Sequence, residues 1–107
     1  MKLWVDDIRP APVQWSHPDG YYWAKSVNQA KHMIEEQEIF WSKNKLELID
    51  IDHDAGDFAK DGGDYIKLLD WLEETGRNYP IRIHSMNPVG VENMRRIIRR
   101  NGWKEVF

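Results

Sequence analysis

Acidic side chains crowd into the short stretch LIDIDHDAGD, residues 48–57, where an apolar run ends in carboxylates. Like charges this close repel each other and cost stability unless a positive group lies between them. A divalent cation is one such group, and carboxylate oxygens are the ligands that Mg²⁺ and Mn²⁺ prefer in proteins. The ionisable side chains of this stretch are Asp50, Asp52, Asp54, Asp57 and His53.

Further polar residues follow apolar runs elsewhere in the chain, in each case where a strand is predicted to end. Because the carboxyl ends of parallel strands meet at one edge of a sheet, we expect these side chains to converge there. The convergence predicts a Mg²⁺ or Mn²⁺ site with Asp6, Asp7, Asp52 and Asp54 as its ligands. The polar residues are Asp6 and Asp7 after the first strand, Asp52, His53 and Asp54 after the third, and His84, Ser85 and Asn87 after the fourth.

A purely structural role is the alternative for several of these residues. Aspartate and asparagine often follow strands because they cap helices and form turns, and we assign Asp57 and Asp61 to that role. Ser85 and Asn87 fit a helix cap, which is compatible with function because a helix N-terminus also binds phosphate. A histidine at a strand end either transfers protons or simply pairs with a neighbouring acid.

The elements that would position these residues alternate between strands and helices, which predicts an α/β fold with a mainly parallel sheet. Residues 9–20 are proline-rich and predict a loop, because proline breaks both regular structures. Ser26 and Gln29 form a capping-box pattern that starts the first helix. Strands are predicted at 2–5, 21–25, 46–51, 81–85 and 104–107, and the later helices at about 63–75 and from Asn87 to Gly102.

Length and composition fit one soluble domain, residues 1–107. The chain has no cysteine, which excludes thiol catalysis and disulfides. No stretch approaches the ~20 apolar residues of a membrane span, and the acidic start MKLWVDD is unlike a signal peptide. We therefore expect a cytoplasmic protein with no membrane partner, and composition leaves its oligomeric state open.

Charge is distributed unevenly, although the net charge is only −3. Residues 47–74 are strongly acidic, whereas residues 95–104, RRIIRRNGWK, are basic. Arginines spaced four apart on a helix usually form a solvated or salt-bridged face. The alternative is an electrostatic rim that attracts the end of a nucleic acid.

Three short motifs resemble those of the receiver domains of two-component response regulators: VDD at 5–7, LIDID at 48–52 and IHS at 83–85. The resemblance implies a receiver-like, flavodoxin-like parallel sheet with helices on both faces. It also implies roles for single residues. Asp6 and Asp7 match the metal-binding pair, Asp52 matches the phosphoacceptor, and Ser85 matches the hydroxyl residue.

The chain departs from the receiver pattern in three places. Segment 9–20 occupies the place of the first helix, and the sequence ends at Phe107 without a last helix, so these two helices are predicted to be reduced or absent. No lysine follows the fifth strand, since Lys104 precedes or begins it. A receiver needs that lysine to couple phosphorylation to signalling, so its absence argues against a standard switch. Arg9, or an arginine of the 95–100 run, is left to supply a positive charge.

A fuller match is to the cyclic-phosphate processing receiver-like domains, which the strings VDDIRPAP, DHDAGD and HSMNPVGVENM resemble over most of the chain. This resemblance implies metal-dependent phosphoesterase processing of a cyclic nucleotide or a cyclic RNA end. His53 and His84 are the proton-transfer groups in this hypothesis, since imidazole titrates near neutral pH. The catalytic residues are then Asp52, His53 and His84, and the phosphate-binding residues are Arg9, Ser85 and Asn87.

Two other functions stay open at this point. The chain is alternatively a divergent response-regulator receiver that is phosphorylated on Asp52, or a non-catalytic module that binds phosphate or a nucleotide. In each case the expected partner is a small phosphorylated ligand or the end of a nucleic acid.

Overall fold

The computed structural model describes residues 1–13, 20–40 and 45–107. In these ranges the chain forms a five-stranded sheet, three α-helices and one short 3₁₀ helix, and the predicted α/β order is confirmed. The strands are β1 (Lys2–Val5), β2 (Tyr21–Ala24), β3 (Leu48–Ile51), β4 (Ile81–Ile83) and β5 (Glu105–Val106). The helices are α1 (Val27–Phe40), α2 (Ile66–Glu74) and α3 (Pro88–Asn101), and the 3₁₀ helix spans Gly56–Lys60. Of the predicted loop 9–20, residues 14–19 lie outside the described ranges.

All strand pairs in the sheet are parallel, in the order β2-β1-β3-β4-β5. This is the flavodoxin-like order, so the predicted receiver-like parallel sheet is confirmed. The strand order reverses between β1 and β3, which are direct neighbours. In such sheets a crevice opens at this reversal, at the carboxyl ends of the strands.

The three helices of the described ranges lie on one face of the sheet. They connect β2 to β3, β3 to β4 and β4 to β5, all in the same direction across the sheet. Right-handed crossovers in one direction place helices on one side, and α2 contacts both α1 and α3. The opposite face carries no helix in the described residues. Helices on both faces, which the prediction also included, are therefore not seen in the described residues.

The core lies between the sheet and these helices. Leu3, Val5, Ile49, Ile51 and Ile81 are fully buried there, together with apolar residues of all three helices. Side chains alternate along a strand, so the residues between them point to the other face. Within the described ranges, no helix is both long and apolar enough to cross a membrane.

Local signals explain where several elements begin and end. The Ser26 hydroxyl oxygen accepts a hydrogen bond from the Gln29 amide at 3.0 Å, as the capping pattern predicts. The start of α2 is later than the predicted position near 63, because Gly62 (φ 110°) and Gly63 (φ 91°) adopt backbone conformations outside the helical region. Asp61 lies at the N-terminus of α1, where its carboxylate accepts from Ser26 Oγ at 2.6 Å and its backbone carbonyl accepts from the Asn28 amide at 3.2 Å.

Candidate functional site

Three predicted site residues follow directly on three strands and remain in the sheet's hydrogen-bond pattern. The Asp6 amide donates to the Ala24 carbonyl at 3.2 Å, the Asp52 amide to Val5 at 2.9 Å, and the His84 amide to Ile51 at 3.0 Å. The backbone therefore fixes these residues side by side at the carboxyl edge of the sheet. One ligand atom from each of Asp6, Asp52 and His84 lies within 4.8 Å of the other two.

His84 lies between two buried carboxylates. Its Nδ1 is 2.7 Å from Asp50 Oδ1, and its Nε2 is 2.9 Å from Asp6 Oδ2. One face of the ring stacks on Trp4, with the ring centroids 3.9 Å apart and the planes 3° from parallel. Because ionised carboxylates only accept hydrogen bonds, the arrangement with both acids ionised requires a proton on each ring nitrogen. The group that lies between the two acids is the His84 ring.

Asp50 is a residue of this site that the sequence predictions left out. It is fully buried on the face that carries no described helix, where its other carboxylate oxygen is 3.4 Å from the Tyr21 hydroxyl and 3.8 Å from an Arg82 nitrogen. Burial, and next the Asp50 charge, raise the pKa of Tyr21. The sequence did offer a signal for this residue, because an acid lies between Ile49 and Ile51. A strand that is buried on both faces carries an acid only where a partner compensates its charge.

Asp6 connects His84 with the turn that carries Arg9. Its second carboxylate oxygen accepts from the Ile8 amide at 3.0 Å and from the Arg9 amide at 2.8 Å. The Trp4 indole N–H donates to the Arg9 carbonyl at 2.7 Å, which closes the turn from its other end. Three of the roughly four acceptor positions of the Asp6 carboxylate therefore hold this edge of the sheet in place, and one position on Oδ2 is left for a further ligand.

The carboxylate of Asp7 lies in an environment that disfavours its negative charge. Burial is the main effect that raises its pKa, and the Asp6 and Asp52 charges act in the same direction. The Asp7 carboxylate also lies so close to Gly56 that a side chain there would collide with it, and Gly56 has a φ of 54°. The pKa of the buried Tyr65 is raised as well, by burial first and then by the Asp7 and Asp6 charges. A negative potential therefore surrounds these acids.

An open pocket of about 380 Å³ lies in front of this cluster. The three predicted phosphate-binding residues, Arg9, Ser85 and Asn87, all line it. The Ser85 hydroxyl oxygen accepts from the Asn87 amide at 3.1 Å, and the Asn87 side-chain oxygen caps α3 by accepting from Gly90 at 3.0 Å. The remaining lining residues are Asp52, Asp54, His84 and Met86.

His53 is held beside this pocket by Asp54. Its Nδ1 is 2.9 Å from Asp54 Oδ1, and because an ionised carboxylate only accepts hydrogen bonds, the fitting tautomer has Nδ1–H as the donor. The ring packs against Gly90, where any side chain would collide with it. Nε2 makes no hydrogen bond within the described ranges, and in this tautomer it carries the lone pair. Of the two predicted proton carriers, His53 therefore has the nitrogen that is available, whereas both nitrogens of His84 are engaged.

The oxygen donors of the cluster suit a hard cation. Asp6, Asp7 and Asp52 offer carboxylates in a region of negative potential, which matches the preference of Mg²⁺ and Mn²⁺ for oxygen. His84 belongs to the same group by distance, but its nitrogens face carboxylates. Asp54, also predicted as a ligand, lies outside the three-residue group, and its side chain is 63% exposed and paired with His53. The residues present therefore fit the predicted ion, although Asp7 and Asp54 both lie outside the three-residue group.

Fold and site together define a receiver-like domain, with acids after β1 and β3 and a hydroxyl residue after β4 at the edge where such sheets bind ligands. A family model described as "Cyclic-phosphate processing Receiver domain" matches residues 1–100, so the chain belongs to that family. No curated protein and no solved structure matches the chain.

Proposed function

We propose that this domain hydrolyses a cyclic phosphate ester with the help of Mg²⁺ or Mn²⁺. One observation carries the proposal: acids that fit a cation, three groups that fit a phosphate, and a histidine with an available nitrogen adjoin one pocket. The family description agrees with this class of activity. The ligand is a small phosphorylated molecule in this proposal.

Asp6, Asp7 and Asp52 would hold the cation, which when bound polarises phosphoryl oxygens and orients a water. The raised pKa of Asp7 supports this assignment, because an opposite charge nearby is what that carboxylate lacks. Arg9, Ser85 and Asn87 bind the phosphate from the other wall of the pocket. The Arg9 guanidinium has no ion-pair partner in the described part of the chain.

The proton transfers fall to His53 in this mechanism. Its Nε2 takes a proton from the attacking water as a new P–O bond forms, while Asp54 holds the ring through Nδ1. The P–O bond to one ring oxygen of the substrate then breaks, and the same imidazolium returns the proton to that oxygen. One water is consumed, and a phosphate monoester with a free hydroxyl is formed.

The basic segment of α3 favours a small ligand over the end of a nucleic acid. Arg95 pairs with Glu105 at 2.7 Å, Arg99 with Glu92 at 3.3 Å, and Arg100 with Glu73 at 2.9 Å. Most of the arginine charges in this segment are therefore paired within the protein, as expected for a salt-bridged helix face.

Phosphorylation of Asp52 is the second function that the site supports. Asp52 is partly exposed and lines the pocket together with Ser85, in the arrangement a phosphoacceptor and its hydroxyl neighbour would need.

Two assays test both functions. The first measures turnover of 2′,3′-cyclic and 3′,5′-cyclic nucleotides with Mg²⁺ or Mn²⁺, and the second measures phosphorylation by a small phosphodonor. We expect metal-dependent hydrolysis that EDTA stops, and no stable phosphoryl group on Asp52. Labelling of Asp52 without any hydrolysis would favour the receiver. Binding without either reaction would favour a non-catalytic module.

A further inference from the structure

We propose that Asp50 is a positioning residue that fixes the His84 ring, and through it the Asp6 carboxylate, at the edge of the pocket. The catalytic part of this inference rests on the proposed function. Its geometric part stands on the contacts of Asp50 alone.

The burial of Asp50 shows that its partner matters. A fully buried carboxylate is costly unless it is paired and hydrogen-bonded. The His84 nitrogen at 2.7 Å is the shortest of its three polar contacts, against 3.4 Å for Tyr21 and 3.8 Å for Arg82. The Arg82 side chain is also half exposed, so water weakens its interaction. His84 is therefore the group that makes a charge at this position tolerable.

Three contacts together fix the imidazole. Trp4 covers one face, Asp6 holds Nε2 and Asp50 holds Nδ1. The stack alone leaves the ring free to turn in its own plane, and a single hydrogen bond leaves it free to swing. With Asp50 present, the ring has one orientation, in which Nε2 faces Asp6.

The orientation of His84 reaches the pocket through Asp6. Asp6 holds the amides of Ile8 and Arg9 with one carboxylate oxygen while the other meets His84. Trp4 holds the Arg9 carbonyl and stacks on His84 at the same time. A His84 ring that loses its orientation would therefore disturb both a proposed cation ligand and a proposed phosphate-binding residue. This is the role of an outer partner that orients the groups in direct contact with an ion.

The test compares the parent with Asp50→Asn, Asp50→Ala and the control Asp70→Asn, an acid on α2 that contacts Lys67 at 4.0 Å. The first readout is NMR of the His84 ring in the metal-free protein. We expect upfield ring protons from the Trp4 stack and a slowly exchanging Nδ1–H in the parent and the control. Asp50→Ala should lose the Nδ1–H signal, and Asp50→Asn should shift it and speed its exchange. Unchanged His84 signals in Asp50→Asn would overturn the inference, even if Asp50→Ala fails to fold.

The second readout compares the turnover rates of single and double variants at Asp50 and His84. Asp50→Asn should lower kcat by roughly 10- to 100-fold with little change in KM. In a protein that already carries His84→Gln, the same substitution should lower kcat no further. Additive losses would mean that Asp50 acts independently of His84, which contradicts the inference. If the parent turns over no cyclic phosphate, the proposed function fails, while the NMR readout still decides the role of Asp50.

Discussion

The two faces of this sheet are built from alternate residues of the same strands, yet they differ in kind. One face carries Val5, Ile49 and Ile51 against the helices, fully buried among apolar side chains. The other carries Trp4 and Asp50, buried without a described helix above them. The comparison shows that a strand of four residues can serve the core with one half of its side chains and the site with the other.

The two faces also contribute differently to stability. Each large aliphatic residue that is buried against the helices stabilises the fold by about 1.5–3 kcal/mol. A buried ion pair is weak evidence for stability, because removal of two charges from water offsets most of their attraction. The ion-paired arrangement of Asp50, His84 and Asp6 is therefore better explained by the site it orders than by the fold it supports.

Replacement of His53 should have the largest effect on activity. His53 lies at the edge of the sheet, so its replacement leaves the side chains of both sheet faces unchanged. We expect His53→Ala to lower kcat by ~10²–10⁴-fold, because it removes the proton carrier, and to leave the fold intact. Steady-state kinetics at saturating metal, beside far-UV circular dichroism, measure both. His32→Ala is the matched control, since His32 lies on the exposed side of α1 and its ion-pair partner among the described residues is Glu36. Full activity in His53→Ala would remove the acid–base role.

The next largest effect should come from the charged face. His84→Ala leaves the buried Asp50 carboxylate without its shortest contact, and breaking a buried pair costs about 3–5 kcal/mol. Besides this destabilisation, the variant should lose most of its activity. Urea unfolding measures the change, and adding Asp50→Asn should restore part of the loss. A change within about 0.5 kcal/mol, as expected for an exposed residue, would contradict the account of this face.

A smaller change on the apolar face sharpens the comparison. Ile51→Val removes one buried methylene beside the helices and should cost about 0.5–1.5 kcal/mol of unfolding free energy. Although Ile51 directly precedes Asp52, cation affinity and kcat should stay at the parent values, because its side chain points away from the site. Altered affinity with a normal spectrum would show that the two faces are coupled more closely than their packing indicates.

The smallest expected change in stability, and one of opposite sign, belongs to Asp7. Its pKa lies above the ordinary value of 3.8, so the folded state disfavours the carboxylate, and stability falls as pH rises through the range between the two values. Without metal, Asp7→Asn should therefore be more stable than the parent at neutral pH and should lose that advantage below the ordinary value. The same variant should bind Mg²⁺ several-fold more weakly. Thermal unfolding at pH 3 and pH 7 checks the sign, and a destabilised variant at pH 7 would refute it.

The parts of the structure that local signals determine were predictable from the sequence. The Ser26 cap and the Asn87-Pro88 start of α3 are examples, since each depends on a few neighbouring residues. The partnership of Asp50 with His84 was not predictable, because the two residues are 34 positions apart and strand register decides whether they meet. That Asp54 pairs with His53 and lies outside the three-residue group has the same cause, since the sequence shows only that it follows a strand. The group that lies between the acids was hidden for the same reason, because His84 follows β4 and does not belong to the acidic stretch itself.

The most direct test of the proposed phosphoesterase site is an amide NMR titration with Mg²⁺, repeated with Mn²⁺ for paramagnetic broadening and then with a 2′,3′-cyclic nucleotide present. We expect saturable shifts at residues 6–7 and 52–54 with the metal alone. With nucleotide, further shifts should appear at Arg9 and residues 85–87, followed by signals of the monoester product. Spectra of residues 6–7 and 52–54 that neither metal changes would contradict the cation site on which the account depends.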